Sequence, residues 1–445
     1  MRIFMLGWEF PPFISGGLGT ACFGLTRALD QLGHEIIFVL PQAADAGQAA
    51  HVSLRTPATS AGGVGQSYQV PDLPHVEFRT IAANLQPYGP LTDGPHATTT
   101  ALGSAVQTSE ASGRDAVAEA GGSVVSQEQT GGRSEGHYLG DMFAEIHRYA
   151  RLAMRLAMGE TFDVVHAHDW MTYPAGIAVA AISGKPLVIH LHSTEFDRSG
   201  EHVNQRIYDI ERRGIHCANK VITVSHLTRN IVLNRYGAPP EKVAVVYNAI
   251  DCNGQPAPLP PAIRRDEKIV LFLGRITMQK GPEYFLAAAK KVLEHEENVR
   301  FIMAGSGDLI RRSIEMAAQL GIGHKVLFTG FLRGNDVARV YRMADLYVMP
   351  SVSEPFGIAP LEALSHDVPV LISKQSGVSE ILTHVLKVDF WDINEMANKI
   401  IAVLRHPPLQ ATLREHGNFE VRRLTWRDSA QGCVDVYGKA IAASH

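Results

Sequence analysis

Cysteine is scarce in this chain: four in 445 residues, at positions 22, 217, 252 and 433, with no Cys-x-x-Cys pair. That excludes a disulfide-built scaffold and suits a reducing compartment, so a cytoplasmic location is expected. No apolar run approaches the roughly 20 residues that span a bilayer, so no transmembrane segment is expected. The apolar start, Met1 to Gly7, is too short for a signal peptide before Trp8-Glu9-Phe10-Pro11-Pro12 intervenes. Neither sign of charge dominates, with 41 Lys and Arg against 45 Asp and Glu and a net charge of -4. No basic field is available for nucleic acid or anionic lipid, which leaves a small neutral or anionic ligand. Gly305-Ser306-Gly307-Asp308 lacks the full GxGxxG spacing, so a dinucleotide is not expected and no cofactor is. No acidic cluster suited to Mg²⁺ stands near the candidate site, and no metal is expected there.

The length suits two domains, each able to bury its own core. Residues 2–7 read as a buried strand. The glycine-rich Ser15-Gly16-Gly17-Leu18-Gly19 then leads into a helix with Cys22, Leu25, Leu29 and Leu32 on one face and Gly33 closing it. The run 35–40 completes a strand-helix-strand unit. After residue 140 the pattern resumes with a helix carrying Phe143, Ile146, Ala150, Ala153 and Ala157, then strands near 162–168, 186–192, 220–225 and 243–248. Residues 92–136 contain no Phe, Trp, Tyr, Ile, Met, Lys or Cys. Such a segment buries too little apolar surface to offset its ordering entropy and reads as a flexible insertion. A Pro-rich stretch, 253–261, reads as a linker. Strands recur beyond it near 269–273, 299–304, 326–329, 346–349 and 368–372. The fold class is α/β, with two Rossmann-like doubly wound domains over 1–250 and 265–425 facing a central cleft. The segment 426–445 is expected as a helix.

Chemistry concentrates at a few strand ends. Glu354 and Glu362 stand eight apart around Pro355-Phe356-Gly357-Ile358, and Gly274-Arg275 with Lys280 lies about eighty residues upstream. Taken alone, Glu362 reads as a first-turn helix acid after Pro360, and Arg275 with Lys280 as a solvated pair. Together they fit a sugar joined to a diphosphate: carboxylates accept from vicinal hydroxyls at either end, while a guanidinium and an ammonium neutralise the bridge. The 355–358 amides at a helix start add an anion site, and Gly16-Gly17 offers a second close backbone approach. His166-Ala167-His168-Asp169-Trp170 ends a strand, and period two turns both histidines to one side. His190 and His192, in His190-Leu191-His192-Ser193-Thr194-Glu195, repeat the arrangement. One histidine of each pair is expected to be a satisfied core residue. His-x-His-Asp also occurs in metal hydrolases, but the remaining ligands are not recognisable here.

In order, these segments resemble the retaining nucleotide-sugar glycosyltransferases, in particular glycosyltransferase family 4 and its glycogen and starch synthase branch. The resemblance spans nearly the whole chain apart from 44–136, and implies a GT-B fold whose second domain binds the donor, whose first binds the acceptor, and whose last helix, near 426–442, crosses back to the first domain. It assigns Arg275 and Lys280 to the donor diphosphate, Glu354 to the transferred sugar, Glu362 to the ribose hydroxyls, and His168 to the sugar near the reacting carbon. Gly16, Gly17, Phe356, Gly357 and Ile358 would complete the donor site; Asp169, His192 and Glu195 would face the acceptor or sugar. The implied reaction moves a hexosyl group, α-glucosyl by preference, from ADP- or UDP-glucose to a glucan or other carbohydrate acceptor. Bacterial glycogen synthases carry a Lys two residues before the Gly-Gly of the first loop, whereas this chain has Ile14-Ser15. The alternatives are a family 4 transferase acting on a lipid or small molecule, and a GT-B sugar-nucleotide epimerase.

Overall fold

A computed structural model describes residues 1–10, 16–41, 67–69, 73–81, 83, 85, 142–251 and 267–444. The stretches read as an insertion, 92–136, and as a linker, 253–261, lie outside the described residues, as does Ser15.

Two sheets carry the fold. The first contains β1 (Arg2–Leu6), β2 (Glu35–Pro41), β3 (Ser67–Gln69), β4 (Val76–Ile81), β5 (Val164–His168), β6 (Leu187–Leu191), β7 (Lys220–Thr223) and β8 (Val243–Val245), in the spatial order β3-β4-β2-β1-β5-β6-β7-β8. All its pairs are parallel except β3 with β4. The second contains β9 (Lys268–Leu273), β10 (Val299–Ala304), β11 (Val326–Gly330), β12 (Leu346–Met349), β13 (Val370–Ser373) and β14 (Leu386–Val388), ordered β11-β10-β9-β12-β13-β14 and parallel throughout. Their central strands are continuous apolar runs because parallel strands are covered on both faces. In β1, Ile3, Phe4, Met5 and Leu6 are all fully buried.

Helices α1 (Gly17–Gln31), α2 (Met142–Ala157), α3 (Tyr173–Ser183), α4 (Glu195–Ser199), α5 (Gln205–Cys217) and α6 (His226–Tyr236) surround the first sheet. Helices α7 (Pro282–Leu293), α8 (Ile310–Gln319), α9 (Asn335–Met343), α10 (Ile358–Ser365), α11 (Ile393–Arg405) and α12 (Pro407–Val421) surround the second. The strand order reverses between β1 and β5 in one sheet and between β9 and β12 in the other. Such switch points open a crevice at the carboxyl ends of the strands, and all the candidate residues after β5, β9 and β12 fall there.

The last helix, α13 (Trp426–Ala442), leaves the second domain and docks on the first. Its buried residues Trp426, Ala430, Cys433, Val436, Tyr437 and Ala440 recur every three or four positions and share one core with Ile3, Met5, Cys22, Leu25 and Leu29. Among the described residues no helix is long and apolar enough to cross a membrane.

Candidate active site

The loop after β9 begins at Gly274 and carries Arg275, which is half-buried, to a short 3-10 turn, Met278–Lys280. Gly281 ends that turn with φ of 63°, and a Cβ there would lie 2.3 Å from the Pro350 carbonyl oxygen. Only glycine allows both the left-handed backbone and this approach. The approach matters because Pro350 begins the loop after β12: the Val352 amide donates to the Gln279 carbonyl at 2.9 Å, fastening the two loops together. Lys280 is thereby placed with its ammonium against the Glu354 carboxylate, which also accepts from the Ser351 hydroxyl at 3.4 Å. Glu354 is buried, and its backbone is pinned by bonds from its amide to the Gln375 carbonyl and from the Gly377 amide to its own carbonyl.

Past Glu354 the chain turns at Gly357, φ 104°, into α10, and no side chain caps the helix. The first amides of α10 therefore remain as donors beside the Lys280–Glu354 pair, together with Phe356 and Ile358 in the turn. Glu362 was expected in the first turn; it sits one turn further in, because the helix starts at Ile358 rather than at Pro360. The Tyr341 hydroxyl reaches its carboxylate at 3.0 Å. Burial raises the Glu362 carboxyl above the ordinary range, and that hydroxyl opposes the shift.

Gly305 and Gly307 pack closely against the loop after β9. A Cβ at either would collide with backbone, 1.9 Å from the Gly274 carbonyl oxygen or 2.3 Å from that of Ile276. Their smallness lets the β10 loop brace the Arg275 loop.

Across the cleft, β5 and β6 pair so that His168 stands beside His190. Side chains alternate, so His166, His168, His190 and His192 project to one face as a ladder of rings, with centroids 4.2 Å apart within each strand pair. His168 Nδ1 lies 3.0 Å from His192 Nε2. Burial is the largest cause holding the four rings below the usual histidine range, His166 and His192 at about 3. They are neutral at physiological pH. Asp169 follows with φ of 60°, a strained backbone of the kind that collects at functional sites. Its carboxylate accepts from the His192 amide at 2.8 Å, and burial pushes its carboxyl up to about 7.

Glu195 does not present a free carboxylate to an acceptor. Its oxygens take Arg198 at 3.1 Å, the Ser199 hydroxyl at 2.7 Å and the Asn204 amide at 3.0 Å, in a buried network that Glu211 shares through Arg198. Gly16 caps α1 and Gly17 opens it; a Cβ at Gly17 would meet nothing within 4 Å, so backbone is accessible there. The expectation of one satisfied histidine per pair is met only in part by His166, whose Nδ1 lies 2.6 Å from the Tyr437 hydroxyl while its Nε2 has no hydrogen-bond partner among the described residues. His190 differs: it is buried and neither ring nitrogen has a hydrogen-bond partner among the described residues.

Two contacts between the domains escaped the sequence. Ser353 donates to Asp197 at 2.6 Å, bringing the Glu354 loop against α4. Glu380 accepts from the His226 and Leu227 amides at 2.9 and 2.7 Å and from the Tyr247 hydroxyl at 3.0 Å, so a carboxylate of the second domain caps a helix of the first. Thr194-Glu195-Phe196-Asp197 does carry a readable capping-box signature for α4, but nothing local tells that Asp197 also faces Ser353.

Three family models tile the chain: glycosyl transferases group 1 over residues 259–418, Glycosyltransferase Family 4 over 111–253, and the starch synthase catalytic domain over 2–88. An uncharacterized glycosyltransferase of Methanocaldococcus jannaschii is 30% identical over 405 residues, 86% of this chain and 83% of the relative. The chain belongs to the glycosyltransferases and has the GT-B fold. The glycogen synthase of Mycobacterium tuberculosis is 25% identical to this transferase over 98% of the chain and 94% of the relative. The sucrose-phosphate synthase of Thermosynechococcus elongatus superposes with a TM-score of 0.70 at 19% identity, over 99% of each chain. The chain is thus a glycosyltransferase with two Rossmann-like domains.

Proposed function

We propose that this transferase moves an α-glucosyl group, with retention, from a glucose nucleotide to the end of a glucan. The observation that carries the reading is the Lys280–Glu354 pair at the switch point of the second sheet, drawn by the Ser353–Asp197 bond toward the loop that His168 and Asp169 share on the first. Lys280 and Arg275 neutralise the diphosphate and hold the charge that builds on the departing β-phosphate oxygen. The α10 amides take a phosphate oxygen, Glu362 accepts from ribose hydroxyls, and Glu354 from hydroxyls of the glucose. His168, neutral through burial, lies beside the anomeric carbon.

Among the described residues no nucleophile and base pair of the double-displacement kind is recognised at the site, and substitution on one face is the reading adopted. The bond from the anomeric carbon to the phosphate oxygen breaks, the acceptor hydroxyl oxygen bonds the same carbon from the same side, and its proton passes to the phosphate oxygen that has left. Positioning and preorganised charge supply most of the rate. A glycogen synthase relative that aligns over 98% of this chain favours a polysaccharide acceptor.

The test is nucleotide release from ADP-, UDP- and GDP-glucose with and without glycogen or a maltooligosaccharide, with the anomer of the product read by proton NMR. Glucan-dependent release giving an α-linked product is expected. Release that no glucan stimulates, or a β-linked product, overturns the reading.

A further inference from the structure

The histidine ladder beneath the active site contains more nitrogen than sugar transfer uses. Four buried or half-buried imidazoles stand on adjacent rungs of β5 and β6, and the Nε2 atoms of His166, His168 and His190, with Nδ1 of His190 and of His192, have no hydrogen-bond partner among the described residues. A buried polar atom left unpaired costs roughly 1–3 kcal/mol, and five within one cluster point to a ligand. One ring nitrogen from each of His166, His168 and His190 lies within 4.8 Å of the others, and Cys22, His168 and His192 form an overlapping set of the same dimension.

We propose that His166, His168 and His190 bind one borderline transition-metal ion, Zn²⁺ by preference, with His192 and Cys22 at the open side of its coordination shell. Three imidazoles with a fourth position open is an arrangement Zn²⁺ accepts, and because the rings stand stacked at interplanar angles of 12–31°, they must turn about χ2 and draw together for bonds of about 2.0–2.1 Å to form. Nitrogen donors and a neighbouring thiol favour such an ion over Mg²⁺ or Ca²⁺, which take oxygen.

The surroundings prepare the nitrogens for that role. His168 Nδ1 lies 3.0 Å from His192 Nε2, and His166 Nδ1 lies 2.6 Å from the Tyr437 hydroxyl. In the tautomers that metal binding calls for, each Nδ1 carries the proton and donates, which keeps the Nε2 lone pair for the metal, as in sites whose ligating histidines are oriented by a bond to the other ring nitrogen. Three ligands sit on two paired strands, a rigid frame, and Tyr437 reaches the cluster from α13. His168 is shared with the proposed transfer site, so a bound ion and sugar transfer compete for its ring; only this competition, and not the binding, rests on the proposed function.

The full-length protein, stripped with a chelator and titrated with Co²⁺, is expected to take up one equivalent with visible d–d absorption that Zn²⁺ abolishes. His190→Val, a residue outside the transfer site that refills the strand position, is expected to lose the absorption while keeping metal-free activity and losing inhibition by Zn²⁺. Tyr437→Phe is expected to weaken Co²⁺ affinity by roughly tenfold or more. His384 and His416, stacked with centroids 4.9 Å apart away from the cleft, serve as the control. The proposal is overturned if wild type shows no stoichiometric d–d band, if His190→Val folds and binds like wild type, or if His384→Ala is the variant that loses the metal. Should His190→Val not fold, the wild-type titration and Tyr437→Phe decide.

Discussion

Replacing Lys280 by Met separates what its ammonium contributes to stability from what it contributes to the reaction. Lys280 and Glu354 are 21% and 9% exposed at their side chains, so the pair is partly sheltered from water. Removing the ammonium leaves the Glu354 carboxylate beside the Ser351 hydroxyl at 3.4 Å, a loss of about 1–3 kcal/mol in folding stability by the usual cost of an orphaned polar group. In the reaction the same ammonium meets charge building on the leaving phosphate, and loss of one preorganised donor of that kind lowers kcat by roughly 10²–10³-fold. The assay is steady-state nucleotide release beside a thermal melt, for Lys280→Met and for the double variant Lys280→Met with Glu354→Gln. The double variant, in which neither partner is charged, is expected to recover most of the lost stability and none of the activity, because coupling within the pair is a folding term and neutralisation of the phosphate is not. A Lys280→Met protein that keeps kcat within about threefold, or a double variant that regains activity along with stability, refutes the role given to Lys280.

Glu362 protonates at a higher pH than an ordinary glutamate, because burial favours the neutral acid. The folded chain therefore holds this proton more tightly than the unfolded one, so its contribution to stability is lost as pH rises through the folded value. Donor KM is expected to climb on acidification earlier than an unshifted carboxyl would make it, and Glu362→Gln to flatten that limb; a limb unchanged in Glu362→Gln removes the residue from donor recognition. In Gly24→Ala the added methyl would lie 2.2 Å from the Trp426 indole, so α1 and α13 must part, at about 1–3 kcal/mol; an unchanged urea midpoint would show that α13 is not docked in solution. Glu380→Ala frees the first two amides of α6, whose Thr228 amide stays capped by Ser225, and is expected to cost about 1 kcal/mol, with faster amide exchange at His226 and Leu227; exchange at the wild-type rate argues against the interdomain cap.

The elements legible in the sequence were those whose signal is local. Trp426 to Ala442 reads as a helix and forms one, and the strand ends bearing His168 and Arg275 sit where apolar runs stop. Elements of three residues carry too little periodicity: β14, Leu386–Val388, is half-buried along most of its length and went unseen. The run Val76–Ile81 alternates visibly in hindsight, yet it follows a long stretch with no comparable pattern. The site divides in the same way. Glu354 and Lys280 could be paired by chemistry, but the Gly281 contact with Pro350 that brings them together depends on two loops seventy residues apart. Glu195 looked available because its charge was visible and Arg198 and Glu211 were not yet folded around it. One histidine of each pair is expected to be satisfied in the core, and no sequence pattern shows that both nitrogens of the buried His190 lack partners among the described residues.

The docking of α13 also orders events during synthesis. The core that joins Ile3, Met5, Cys22 and Leu25 is closed by Trp426, Cys433 and Tyr437, residues the ribosome adds some four hundred positions later. Because domains fold as they emerge, the second domain has all its strands in hand while the first still exposes an apolar trough along α1. The nascent first domain is therefore a natural client for a chaperone, and a truncated product ending before residue 426 is marked for degradation by that open trough rather than by any defect near the catalytic cleft.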